Sequence, residues 1–114
     1  MKGRTILNKV ILSGFIRNKG VLVQGERQAH IWFDLDVKRE YRKKSSDENL
    51  QKYDRIKIHL LGNRAIAFEK DKKNGDYLEV IGRLQIDHIK KDDGTTELKC
   101  FIVPESIEYG PIID

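Results

Sequence analysis

The sequence is short of the residues that staple, break or anchor chains. It has one cysteine, two prolines, one methionine and one tryptophan in 114 residues. A single thiol closes no intrachain disulfide, so the fold has to rest on a hydrophobic core, and the chain suits a reducing compartment. Cys100 lies in the apolar stretch LKCFIV and reads as a small buried side chain. No apolar run approaches the roughly 18 residues a membrane span needs. Residues 1–5 lead into strand-like sequence rather than an apolar leader segment, so no signal peptide is expected. The expectation is a soluble, cytoplasmic protein without membrane contact. There is also no internal repeat and no low-complexity segment.

The chemistry of catalysis is thin as well. His30, His59, His88 and Cys100 lack any zinc spacing. The GNRA stretch before the one helical segment is not a phosphate-binding loop. Asp34 and Asp36 stand at the i, i+2 spacing that a nuclease metal pair can use, but two acids on a strand are more often salt-bridged or solvated. No nucleophile has a base near it in sequence. The expectation is a non-enzymatic protein without cofactor or metal.

What is present is charge and alternation. Charged residues make up 35% of the chain and hydrophobic residues 39%, with a formal net charge of +4. The basic excess favours a polyanionic partner. The length fits one domain, read as residues 1–109 with a short end at 110–114. Residues 5–17, TILNKVILSGFIR, read as the first strand, bent at Gly14, with VLVQ at 21–24 as its continuation after a turn. HIWFDLDVKREYR puts Ile31, Phe33, Leu35 and Val37 on one side and Trp32, Asp34, Asp36 and Lys38 on the other. YDRIKIHLLG separates Ile56, Ile58 and Leu60 from Arg55, Lys57, His59 and Leu61. Such period-two patterns predict half-buried strands. Residues 63–73 predict the one helix, capped by Asn63, with Ala65, Ile66 and Phe68 as its apolar face and Asn74–Gly75 as its stop. DYLEVIGRLQIDHIK is the next strand. Asp93–Gly94 signals a hairpin, and LKCFIVPESIEY closes the sheet. Phe15, Phe33 and Phe68 read as core.

Five strands with one helix between the third and fourth is the order of the OB-fold, an all-β five-stranded Greek-key barrel. Interior glycines such as Gly14 and Gly82 suit strands that bend at barrel corners. A ferredoxin-like sandwich needs a second helix, which is absent from the pattern.

At this level the chain resembles the bacterial and phage single-stranded DNA-binding proteins. NKVILSG at 8–14 resembles their opening strand and FDLDVKREY at 33–41 their second. DRIKIHLLGNRA at 54–65 and NGDYLEVIGRLQ at 74–85 resemble the third strand, helix and fourth strand, and VPESIEY at 103–109 the end of the fifth. The resemblance implies a sequence-tolerant single-strand binder acting in replication, recombination or repair. It implies a homo-oligomer, tetramer or dimer, with no catalysis and no cofactor. Replication or recombination proteins are then partners by implication. The family's DNA-facing aromatics fall here on Arg55, Leu61 and Ile89, and only Tyr41 keeps a ring. The family's acidic recruiting tail is not matched by GPIID, which points to a phage or mobile-element type. The alternatives are a primosome or replisome adaptor of the same fold, and an RNA-binding OB domain.

A single-strand binder needs cations along a groove and flat surfaces for bases. Candidate cations are Arg55, Lys57 and His59 on one strand face, a stripe with no acid of its own. Lys38, Arg39, Arg42, Lys43 and Lys44 surround Tyr41, the expected stacking ring, and Arg83, His88 and Lys90 follow on the next strand. Leu61 and Ile89 join the set as the positions that replace family aromatics. Trp32 shares its side with Asp34 and Asp36, which repel phosphate, so it reads as a subunit contact or barrel packing rather than a stacking surface.

Overall fold

The computed structural model describes residues 7–39 and 52–108, except the side chains of 106–108. Its strands are β1 (Val10–Arg17), β2 (Val23–Gln24), β3 (Ala29–Lys38), β4 (Tyr53–Leu61), β5 (Tyr77–Lys90) and β6 (Thr96–Glu108), with helix α1 (Asn63–Asp71) between β4 and β5. Five of them close a ring in the order β1–β5–β6–β4–β3, with β3 returning to β1. This is the expected OB barrel, with the helix after its third strand. The short β2 pairs with β3 through Val23↔His30, so VLVQ is an edge addition and not a continuation of β1.

Alternation sorts the side chains as the sequence pattern predicts. Ile31, Phe33 and Leu35 from β3, Ile58 and Leu60 from β4, Leu78 and Val80 from β5, and Ile102 from β6 form one buried core. The helix adds Ala65 and Phe68, and the Phe68 ring lies on Phe33 with centroids 4.3 Å apart at 20°. Burying a ring of that size contributes roughly 1.5–3 kcal/mol, so α1 serves as the plug of the barrel.

Several expectations need correction. Phe15 is not core: it is half-buried and meets Tyr77 edge-on at 5.5 Å, while its neighbour Ile16 is fully buried. Ile66 is 44% exposed, because the helix is short and presents only Ala65 and Phe68 inward. Asn63 does not cap α1. Gly62 is the cap, at φ +74°, and its carbonyl accepts from the N–H groups of Ala65 and Ile66. The helix ends at Asp71, before Asn74–Gly75, when Lys72 turns extended. Cys100 is exposed, because it precedes Ile102, where β6 first meets β4.

Two glycines are required by close approach. β1 pairs with β5 along one edge and with β3 along the other, and both pairings meet at Phe15, opposite Tyr77 and Asp36. A Cβ on Gly14 would stand 2.2 Å from the Asp36 carbonyl oxygen. At Gly82, where the β5–β6 register shifts, a Cβ would stand 2.4 Å from the Val103 carbonyl oxygen. Gly14→Ala should therefore lower the stability of the barrel by about 1–3 kcal/mol, the usual cost of overpacking. Urea unfolding should show the midpoint falling with an unchanged slope.

Candidate nucleic-acid interface

The β3–β4 register sets the outer face of the barrel. Arg55 lies opposite Asp36, Lys57 opposite Asp34, and His59 opposite Trp32. The basic stripe of β4 has no acid of its own because β3 supplies them. Arg55 Nε and Nη2 donate to the two Asp36 carboxylate oxygens at 2.8 and 2.9 Å, and Arg17 Nε stands 3.6 Å away. Lys57 Nζ is 3.8 Å from Asp34, which also accepts from Asn18 Nδ2 at 2.8 Å. The reading of an unpaired cationic stripe is corrected: period-two alternation fixes a strand's face but not what the neighbouring strand places beside it. Asp36 is 7% exposed, and its hydrogen bonds from Arg55 hold its carboxyl below the usual range against the opposing effect of burial. Asp34 and Asp36 thus face three cations, so their charge no longer bars phosphate from Trp32.

Trp32 anchors an aromatic cluster. His59 stacks on it with ring centroids 3.9 Å apart and planes 5° from parallel. Phe101 of β6 meets Trp32 edge-on at 5.0 Å and His59 at 5.9 Å. His59 Nε2 is 3.0 Å from His30 Nδ1, and Lys99 Nζ sits 4.1 Å from the Trp32 ring centroid. Burial first, then the charges of His30 and Lys99, push His59 down to about 4, with Asp87 opposing. Trp32 is therefore barrel packing in part, as its position suggested.

A groove opens where two strands part. β4 and β6 run parallel but pair only at Ile58↔Ile102, and β1 accompanies β5 only as far as Gly82. Asn8 still exchanges two hydrogen bonds with the Leu84 main chain, and past Leu84↔Ile102 β5 and β6 continue to the turn as a two-stranded ribbon beside the Arg55–Lys57 half of β4. The gap holds two adjoining hollows of about 370 and 380 Å³ that share Lys57 and Cys100. The first is lined also by Arg55, Ile56, Leu84, Phe101 and Ile102. The second is lined also by Ile89, Glu97, Leu98 and Lys99.

The other candidates are dispersed. Ile89 lines the groove, 41% exposed, and Arg83 lies on the same ribbon face, its Nη1 donating to Gln85. His88 and Lys90 are exposed on the other ribbon face, the one that also carries Leu84 and Leu98. Leu61 sits opposite His30 at the far end of β4, outside the groove. Lys38 is exposed at the end of β3, and Arg39 is paired with Asp54. Tyr41, Arg42, Lys43 and Lys44 lie outside the described residues. Sequence reasoning passed over Lys99, Phe101, Leu84 and Leu98, which line the groove or its aromatic rim. The signal was there: Lys99 and Phe101 share one strand face by alternation, and only the sheet order brings that face to Trp32.

Comparison with known proteins gives one sequence-level match. The profile of the Single-strand binding protein family matches residues 7–109. No curated protein sequence matches significantly. Among solved structures, a small single-stranded DNA-binding protein from Streptomyces coelicolor superposes with a TM-score of 0.69 at 15% identity, over 90% of this chain and 93% of that one. The Plasmodium falciparum SSB complex with ssDNA gives a TM-score of 0.77 at 17% identity, over 94% and 96%. At such identities these structures show the shared fold.

The depressed His59 sets a pH dependence. In the unfolded chain a histidine takes up its proton near 6.5, but folded His59 resists until about 4. Between those values acid favours the unfolded chain, so stability should fall as pH drops from 6.5 to 4 and be fully present above 6.5. His59→Phe keeps a ring on Trp32 without a titrating group and should flatten that slope. Melting temperatures across this range check the expectation, and an equal slope in both proteins contradicts it.

Proposed function

Because the chain belongs to the Single-strand binding protein family, we propose that it coats single-stranded DNA without sequence preference or catalysis during replication, recombination or repair. The observation that carries this reading is the groove between β4 and the β5–β6 ribbon. Cations border it at Arg55, Lys57 and Lys99, and apolar side chains line it at Leu84, Ile89 and Leu98. Lysines meet phosphates as point charges and carry no sequence information. Apolar and aromatic surfaces accept any base, because every base has a flat face. Arg55 stays half-exposed while chelating Asp36, so its remaining N–H groups are available to a phosphate. Arg83, His88 and Lys90 on the ribbon, Lys38 and Arg39 at the end of β3, and Tyr41, Arg42 and Lys43 beyond it extend the proposed contacts, with Leu61 the most remote.

The protein also has surface for self-association. Leu84, Ile86 and Leu98 on the ribbon and Ile11 on β1 are between 41% and 63% exposed. Such patches mark interaction sites, and the β1 edge before Phe15 is not covered by β3. A homo-oligomer, a dimer or tetramer, is the assembly that fits. The adaptor reading draws on the same apolar surface. Light scattering at micromolar concentration should give a multiple of the chain mass, and a monomeric mass contradicts the assembly.

One titration separates the functional readings. Oligo(dT) should bind at least about tenfold more tightly than a duplex of equal length, a difference of about 1.4 kcal/mol. Oligo(U) tests for an RNA binder. Equally weak binding to all three would leave the adaptor reading instead. Each phosphate contact contributes about −0.7 to the slope of log K against log salt for single strands. Lys57→Ala should flatten the oligo(dT) slope by about that amount.

A further inference from the structure

We propose that Trp32 is the position on which a nucleobase stacks, and that Lys99 caps its free face in the unbound protein and passes to a phosphate when the base arrives. The inference rests on the single-strand-binding reading and names the residues that give it stacking energy. A base that binds without sequence preference needs a flat surface to stack on. Trp32 has two faces. His59 covers one at 3.9 Å, nearly parallel. Lys99 Nζ, 4.1 Å from the same centroid, has room only on the other. The covers differ in kind. His59 is held by His30 at 3.0 Å and by the edge of Phe101, so it forms a fixed backing. Lys99 has a flexible stem and three rotatable donors. Its cation–π contact at a partly exposed site is weaker than a base–aromatic stack.

Replacing the ammonium by a base therefore gains on the ring, and the released charge gains a phosphate. Lys99 also lines the groove with Lys57, so the strand's backbone passes within its reach. Of the acids near the plate, Asp36 is held by Arg55 and Arg17 and Asp34 by Lys57 and Asn18, while Asp87, opposite Lys99, accepts from Gln85 Nε2 at 3.1 Å. Only Lys99 has to move to receive the base, since the backing and edge contacts of the ring are already made.

Trp32 is the only tryptophan in the chain, so intrinsic fluorescence reports on it alone. The test titrates the wild type with oligo(dT) and with an abasic deoxyribose-phosphate oligomer of equal length, and follows binding separately by anisotropy of a labelled strand. Oligo(dT) should quench the emission in step with binding, and the abasic strand should bind without quenching. Trp32→Leu should weaken oligo(dT) binding roughly 5- to 140-fold with an unchanged salt slope. Lys99→Met should keep the quench and flatten the slope by about 0.7. Oligo(dT) that binds while the emission stays constant overturns the proposal and leaves the single-strand-binding reading standing. No binding of oligo(dT) at all overturns both.

Discussion

The structure depends on Asp36. Its main-chain carbonyl lies where any side chain on residue 14 would stand, so β1 and β3 close the barrel only because that residue is glycine. Its side chain is nearly buried and is chelated by Arg55 from β4, with Arg17 from β1 nearby. One residue thus ties three strands, by close backbone contact and by charge. A carboxylate at that depth costs free energy unless it is paired. Its partners are therefore part of the fold before they are part of any interface, and the cations proposed for binding on this face already have structural work.

Closure at one end of the sheet produces the opening at the other. β1 is consumed in pairing with both β5 and β3, and it follows β5 no further than Gly82. Past Leu84, which Asn8 still holds by two hydrogen bonds and whose partner Ile102 still meets β4, β5 and β6 pair only with each other among the described residues. A two-stranded ribbon without a third strand buries little, which is why Leu84, Ile86, Ile89 and Leu98 stay exposed. The same ribbon is one wall of the groove, with β4 as the other. The apolar surface that fails to enter the core is what a base or a second subunit would cover.

The electrostatics of the groove are moderate rather than strongly positive. Arg55 and Lys57 share carboxylates with the barrel, while Lys99 rests on a ring. Partly satisfied cations are held in place before a ligand arrives, which limits the ordering cost of binding. They also restrain non-specific attraction to any polyanion. In the proposed function the aromatic cluster of Trp32, His59 and Phe101 is the surface whose contribution depends little on salt.

The alternation of Ile31, Phe33, Leu35, Ile58 and Leu60 and the Asp93–Gly94 turn were legible in the sequence, and with them the strand order and the barrel. These are local: a side chain's face follows from the two-residue period of its own strand. Arg55, Lys57 and His59 do share one outer face for that reason. What stands beside them does not follow from that period. It is set by which strands are neighbours and in which register, so Asp34, Asp36 and Trp32 met β4 only in the folded barrel. The exposure of Cys100 and the nearness of Lys99 to Trp32 were decided at a larger scale still, by where β6 first meets β4. The sequence by itself determined the barrel and the face of each side chain, because backbone periodicity is a short-range property. Tertiary structure alone decided which cations are paired, which ring is capped and where the groove opens, because those depend on contacts between strands far apart in the chain.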